Sequence, residues 1–551
     1  MKLYKISFLM LGAAMLTVSC NDIDKQYPEG GEGGSLTAEQ VKETNTAIPA
    51  RVDATFSGMF SMMAQPRMGL PNSSRPDDWG FGMAAFSLDL EGADMFMEAS
   101  GYNWFSVCGY YTSRNADYAN PYIRYVIPYR HIGIANEVIA AFPAGTEDPV
   151  AINQIAQARA IRAFDYMALA PYFQFNYQTA KDQPCIPILK DGVDYANNPR
   201  ATVGEVWDYI MEDLNYAVEH LTAARSSKDQ INLNVAYGLR ARANLFMGNY
   251  AAAASDAEKA MEGYAPATMA EISVPAFCNL KESNWIWGIN VTTELAAIYP
   301  YATSSSWVCA FSGDGYAPAC QIVPRINSLL YNKIPATDVR RNWWLDENLH
   351  SPNWANLTWT DSKTGNSATG DKIATFTIDD VKMEMLPLAN IKFGMKSGVG
   401  SVNNDNDWPL MRVEEMILIQ AEGLAKSGNE AQARTLLESF VKTYRDPAYS
   451  AGDRGLSLAD EIWFQRRVEL WGEGFFMFDA KRLSKPVVRT HGAGTTNEPD
   501  AFAFNISPDD GWLNLRFPQT EMDNNIGIVD NTGGSVPVAG QNSTLRDGVT
   551  D

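Results

Sequence analysis

Twice in this chain a helix-like run is stopped by a glycine-asparagine pair and restarted at once. The first run passes Ala241 and Leu245-Phe246-Met247, meets Gly248-Asn249-Tyr250, and continues with Ala253 and Ala257 on one face. The second spans Glu414 to Leu437, with Ala421, Leu424 and Ala425 before Gly428-Asn429 and Ala433 and Leu437 after it. Glycine takes the left-handed conformation that ends a helix, and small alanines let the next helix pack closely against it. A chain built from such units is expected to be mainly α. Other stretches agree. Thr202 and Glu205 form a capping box, followed by an apolar stripe of Val203, Val206, Ile210, Leu214, Ala217 and Leu221 at steps of three and four. Helical patterns also cover roughly 50–64, 123–141, 152–175, 234–247, 251–262, 411–427, 430–444 and 459–470. Strand-like pieces are few and short, at 285–289 and 374–378.

The paired-helix units follow the logic of tetratricopeptide repeats, whose period is about 34 residues, yet the two copies stand far apart. A helical scaffold over 37–263 and 411–483 is therefore expected to carry a long, loop-rich insert over 264–410, with an irregular segment 484–551 completing one body from 37 to 551. The insert holds Trp285, Trp287, Trp307, Trp343, Trp344, Trp354, Trp359 and Trp408, eight of the chain's 14 tryptophans, among Asn, Ser, Thr, Gly and Pro. Two readings are open: the indoles face a ligand with flat apolar faces and hydroxyl rims, such as a sugar, or they pack the loops onto the scaffold.

The N-terminus predicts where this body is held. Lys2 and Lys5, the mainly apolar run Ile6–Val18 and Ser19 before Cys20 have the layout of a signal peptide over 1–19. The run is shorter than the roughly 20 helical residues needed to span a bilayer. A cysteine at the cleavage point resembles a bacterial lipobox, in which Cys20 would be diacylated and give stable attachment; an ordinary signal peptide with an incidental cysteine is the alternative. Residues 20–36, acidic and glycine-rich, read as a flexible tether, and Thr37 with Gln40 as the capping box that begins the body. No second long apolar run follows. The net charge of -21, from 44 Lys+Arg against 65 Asp+Glu, argues against nucleic acid as a partner. Of the five cysteines after Cys20, only Cys309 and Cys320 suggest a pair, and no D-x-D-x-D-G loop calls for calcium. No metal and no cofactor are expected.

Several segments stand in a telling order: Gln157–Tyr166 with Tyr172-Phe173 and the 184–187 turn, Pro199–Thr202 leading into Val206–Leu214, Asp338-Val339-Arg340-Arg341, Met411–Ala425, and Ile462–Arg482 with Arg466-Arg467-Val468-Glu469-Leu470, Gly472-Glu473-Gly474 and Phe478–Arg482. Together they resemble the SusD/RagB family of nutrient-binding outer-membrane lipoproteins. The resemblance implies a SusD-like fold and a non-catalytic role: capturing a glycan at the cell surface and passing it to a SusC-like TonB-dependent transporter. Acidic residues after Cys20 also resemble surface-export signals, placing the body outside the outer membrane. The shared charged residues read as structural ion pairs, with Arg466 and Glu469 on one helix face and Glu473, Asp479 and Arg482 around the glycine turn.

By the same resemblance, ligand contacts come from two loops. The first reads Gly92–Glu98 and Asn103-Trp104, the second Tyr299–Tyr316. Asn103, Trp104, Tyr301, Trp307 and Tyr316 are the expected contacts, with Asp94 and Glu98 as hydroxyl acceptors. Two other functions stay open. Some members of the family bind peptides, and a hydrolase using a Glu473/Asp479 carboxylate pair requires only spatial proximity. Against the hydrolase, the four histidines lack H-E-x-x-H spacing and there is no G-x-S-x-G elbow.

Overall fold

The computed structural model describes Thr44 and residues 49–378, 381–382 and 384–551; Cys20, the tether and the Thr37 capping box lie outside the described residues. Among the described residues, the helices of eight or more residues are α1 (Pro49–Met62), α2 (Gly80–Glu91), α3 (Ala119–Ala140), α4 (Pro149–Leu169), α5 (Val203–His220) and α6 (Leu233–Met247). There follow α7 (Tyr250–Ala260), α8 (Val413–Lys426), α9 (Glu430–Tyr444), α10 (Leu458–Glu469) and α11 (Phe476–Leu483). From α3 to α7 each helix packs on the next in sequence: α3 on α4, α4 on α5, α5 on α6, α6 on α7. The series then crosses the insert without a gap, because α7 packs on α8, and α8 on α9 and α10.

Local chemistry sets these boundaries. Thr202 accepts from the Glu205 amide at 3.2 Å while the Glu205 carboxylate accepts from the Thr202 amide at 2.8 Å, closing the expected capping box of α5. Gly248 ends α6 at φ 80° and Gly428 follows α8 at φ 90°, so both stops read from the sequence are left-handed. The α7–α8 junction needs a glycine for a different reason. A Cβ on Gly423 would stand 2.5 Å from the Tyr250 carbonyl oxygen and 2.9 Å from the Ala254 Cβ, so the bare backbone is what allows the two halves of the stack to meet.

Strands are short and join the insert to the scaffold. β2 (Trp285–Ile289) pairs antiparallel with β4 (Trp408–Arg412), from Trp285 opposite Arg412 to Ile289 opposite Trp408, which brings both ends of the insert together beside α8. β1 (Met95–Phe96) pairs with β3 (Arg325–Ile326), tying the loop after α2 to the middle of the insert. The C-terminal segment returns to the same loop: Arg489 donates to the carbonyls of Leu90 (3.0 Å), Glu91 (3.1 Å), Gly92 (2.9 Å) and Gly109 (2.7 Å).

Two expectations are corrected, and one choice left open is decided. The 374–378 strand is a 3-10 turn over Gly370–Thr375 followed by a two-residue strand, Thr377–Ile378. Cys309 and Cys320 are both free, with the Cys309 sulfur set against the Phe393 and Gly394 carbonyls. All eight insert tryptophans are buried, so the packing reading holds for them. Seven of them fill two cores. Trp287, Trp307, Trp343, Trp344 and Trp408 join the main core, while Trp354 and Trp359 form a smaller one with Phe311 and Ile391. An insert with few regular elements has few apolar faces, and large rings supply the burial that helices supply elsewhere.

Candidate functional site

The loop that leaves β1 is held by Asn103. Its amide donates to the Glu98 carbonyl at 3.0 Å, and its side-chain oxygen accepts from the Phe105 amide at 2.9 Å. Asn103 is itself buried, so it acts as the clamp of a turn that pushes its neighbours outward. Those neighbours are Tyr102, 65% exposed, and Trp104, 44% exposed. Trp104 is nonetheless fixed. Its Nε1 donates to Asp77 at 3.0 Å, Arg75 grips the same carboxylate at 3.0 and 2.8 Å, and the Arg75 guanidinium lies over the indole at 5.1 Å.

The second loop meets the first from below. Phe105 packs edge-on against Trp307 at 5.0 Å, and Trp307 stacks on Tyr316 at 4.6 Å with planes 26° apart. Trp307 Nε1 donates to the Tyr301 carbonyl at 2.8 Å, and the Ser306 hydroxyl donates to it at 3.1 Å while accepting from the Tyr316 amide at 2.9 Å. Tyr301 is 47% exposed and Tyr316 half-buried, whereas Trp307 is 2% exposed. The short helical turns Pro76–Asp78 and Pro300–Ala302 touch, so Asp77 and Tyr301 border one surface. Burial, with the Cys320 thiol and the Tyr102 and Tyr299 phenols nearby, keeps the Tyr316 hydroxyl above its ordinary range, a neutral group able to donate.

Of the residues expected from the sequence, the structure thus brings Asn103, Trp104, Tyr301, Trp307 and Tyr316 into one cluster. Only Trp104, Tyr301 and Tyr316 offer ring surface. Trp307 is the slab on which Tyr316 rests, so its expected stacking role is corrected to support. Asp94 is also corrected. Its carboxylate is gripped by Arg467 at 2.6 and 2.9 Å, Arg467 also holds Asp547 at 2.6 Å, and the whole group is buried out of reach of a ligand hydroxyl. Glu98 is paired with Arg325, though part of its side chain stays exposed. Sequence reasoning missed Tyr102, Arg75 and Asp77. Tyr102 had a signal, an aromatic beside two chosen residues; Arg75 and Asp77 lie in a polar stretch before α2 that no motif marks.

The motif charges form a separate, buried network. Glu469 accepts from Arg445 (2.8 and 3.0 Å), Arg340 (3.2 Å) and Arg412 (3.2 Å). Glu473 is held by Lys392 at 2.7 Å and Arg412 at 2.8 Å, and Asp479 by Arg466 at 2.7 Å and Arg482 at 2.8 Å. Arg466 therefore pairs with Asp479, not with Glu469 on its own helix face. Burial alone would raise Glu473, but Arg412 and Lys392 hold it below the usual carboxylate range. A glycosidase acid needs the opposite shift, and both carboxylates already have cationic partners.

Residues 339–533 match the model of the SusD family. No curated protein matches the chain. Among solved structures, a SusD-like carbohydrate binding protein of Bacteroides vulgatus is similar at 21% identity and a TM-score of 0.66, over 87% of this chain and 97% of that one. A second Bacteroides vulgatus structure, described as a putative sugar binding protein, is similar at 20% identity and 0.65, over 89% and 99%. A SusD superfamily protein of Bacteroides thetaiotaomicron is similar at 18% identity and 0.61, over 88% and 99%. The motif recognition thus stands: the chain carries a SusD-family segment at 339–533 within a mainly helical body that has the SusD-like fold.

Proposed function

We propose that this protein is a non-catalytic receptor that captures a glycan on the face formed by Tyr102, Trp104, Tyr301 and Tyr316. The observation that carries the reading is the convergence of two loops, about 200 residues apart in sequence, on one surface where exposed rings are braced from behind by Trp307 and from the side by Arg75 and Asp77. Rigid aromatic faces with polar neighbours suit sugar rings, whose apolar faces stack while their hydroxyls hydrogen-bond. The likeness to structures described as carbohydrate and sugar binding proteins supports the same reading. The capture step precedes delivery to a SusC-like TonB-dependent transporter in the outer membrane.

Trp104→Ala is expected to weaken binding by about 1–2 kcal/mol, roughly 5- to 30-fold, on a glycan array probed with the purified protein. Binding of peptide mixtures with no response to any glycan would transfer the same surface to a peptide ligand.

The body is held outside the cell by acylated Cys20, a reading that rests on the sequence; among the described residues no helix is long and apolar enough to cross a membrane. Labelling with a clickable palmitate analogue is expected to mark the wild type and not Cys20→Ala, and the variant is expected in the soluble fraction. An unlabelled wild type would remove the anchor.

A further inference from the structure

Behind the ring surface, the helices of the scaffold line a partly open cavity of about 150 Å³. Its wall is mostly apolar and comes chiefly from α2, α3, α4, α6, β4 and α11. Ala84, Phe164, Met167, Ala168, Phe475 and Phe478 line it and keep part of their surface uncovered, although all sit on elements otherwise packed into the core. Asp77, which anchors Trp104, belongs to the same wall. Cavities of about 150 Å³ lined by Leu, Ile and Phe stay dry and admit a single benzene ring.

The polar atoms of the wall are unevenly satisfied. Four buried groups on lining residues have no hydrogen-bond partner: Asn120 Nδ2, Tyr172 Oη, Trp408 Nε1 and Arg466 Nη1. All four can donate. The carboxylates of the same wall are occupied: Glu415 by Arg242 at 2.6 Å, Asp479 by Arg466 and Arg482, Glu473 by Lys392 and Arg412, and Asp77 by Arg75 and Trp104. A buried donor without a partner favours an acceptor brought from outside. Because each charge of the wall already has an opposite partner in it or behind it, an ionised ligand would add an uncompensated charge to an apolar site. The acceptor that fits is a neutral carbonyl oxygen.

We infer that this cavity is a second binding site, separate from the glycan-binding surface, for a neutral one-ring aromatic ester or ketone. The inference does not depend on what the exposed rings bind. In ¹⁹F NMR titrations of the purified protein, methyl 4-fluorobenzoate is expected to bind, with 4-fluorotoluene and 4-fluorobenzoate each at least tenfold weaker. Ala84→Leu and Ala168→Leu project new side chains into the space from α2 and α4. Whichever retains the wild-type unfolding transition is expected to lose at least tenfold in affinity for the ester. In crystals soaked with methyl 4-bromobenzoate, the anomalous bromine peak is expected between Ala84 and Ala168. Absence of ester binding, a bromine peak only elsewhere, or a folded variant that binds the ester as the wild type does would overturn the site. Equal binding of 4-fluorotoluene would overturn the acceptor requirement, and equal or tighter binding of 4-fluorobenzoate the requirement for neutrality.

Discussion

Replacing Glu469 with glutamine is expected to lower the unfolding free energy by about 3–5 kcal/mol, the usual cost of removing one partner from a buried ion pair. Glu469 sits at the centre of a closed set in which Arg340, Lys392, Arg412 and Arg445 face Asp338, Glu414, Glu469 and Glu473, four charges against four. All are buried, so the three arginines around Glu469 cannot recover water when its charge is removed. Glutamine keeps the shape and one acceptor, which isolates the charge from the packing. The exposed Lys442–Glu438 pair at 3.3 Å is the contrast: Lys442→Gln is expected to cost at most about 0.5 kcal/mol. Chemical denaturation of the three proteins side by side separates the two cases.

The same residue sets a pH dependence. Burial alone would raise Glu469, but Arg445, Arg412 and Arg340 overcome it and hold the carboxyl far below its usual range. Glu422, buried and gripped by Arg482 at 2.6 and 2.8 Å, is held down in the same way. A depressed folded-state pKa contributes stability that is complete above the unfolded value, about 4.3 for glutamate, and is lost as pH falls below it. Wild-type stability is therefore expected to drop steeply between about pH 4.5 and 2, by up to about 1.4 kcal/mol per pH unit for each such group. Glu469→Gln, lacking one group, is expected to show a shallower acid slope. Equal slopes would mean that the folded protein does not hold the Glu469 carboxyl below its unfolded-state range.

Trp307→Ala is expected to cost about 3–5 kcal/mol of stability, because it removes a fully buried indole that touches Phe105 on one side and Tyr316 on the other. Ligand binding should fall with it, since the Tyr301 carbonyl loses its indole donor and Tyr316 its stacking partner. Trp104→Ala is expected to behave oppositely, with stability within about 0.5 kcal/mol of wild type and affinity reduced. Melting curves and binding isotherms on the same preparations distinguish a ring that supports the surface from a ring that forms it. If Trp307→Ala melted like the wild type yet lost all binding, Trp307 would be a ligand contact after all.

That division between Trp104 and Trp307 also marks where sequence reasoning reached its limit. The helical stack was legible because its signals are local: the capping box at Thr202, the stripe along α5, and the stops at Gly248 and Gly428 each depend on a few neighbouring residues. Helix α2 escaped because Phe81, Met83, Phe86, Leu88 and Leu90 put apolar side chains on every side, as a buried helix does, and leave no stripe. The insert was illegible for a deeper reason. Whether an indole among polar loops is covered depends on chains that arrive from elsewhere, and here the pairing of β2 with β4 and of β1 with β3 brings those chains in. Asp94 misled in the same way, since its partner Arg467 lies 373 residues away. The two loops of the site were nonetheless chosen together, and they meet in space through Phe105 and Trp307.

The central claim is that the exposed rings hold a glycan. It is tested most directly by depletion of a polysaccharide panel from solution by the wild type and by Tyr102→Ala/Trp104→Ala. The wild type should remove at least one polysaccharide, and the double variant, with an unchanged unfolding transition, should bind it at least tenfold more weakly. Undiminished binding by the double variant, or a wild type that removes none of the panel, would contradict the account.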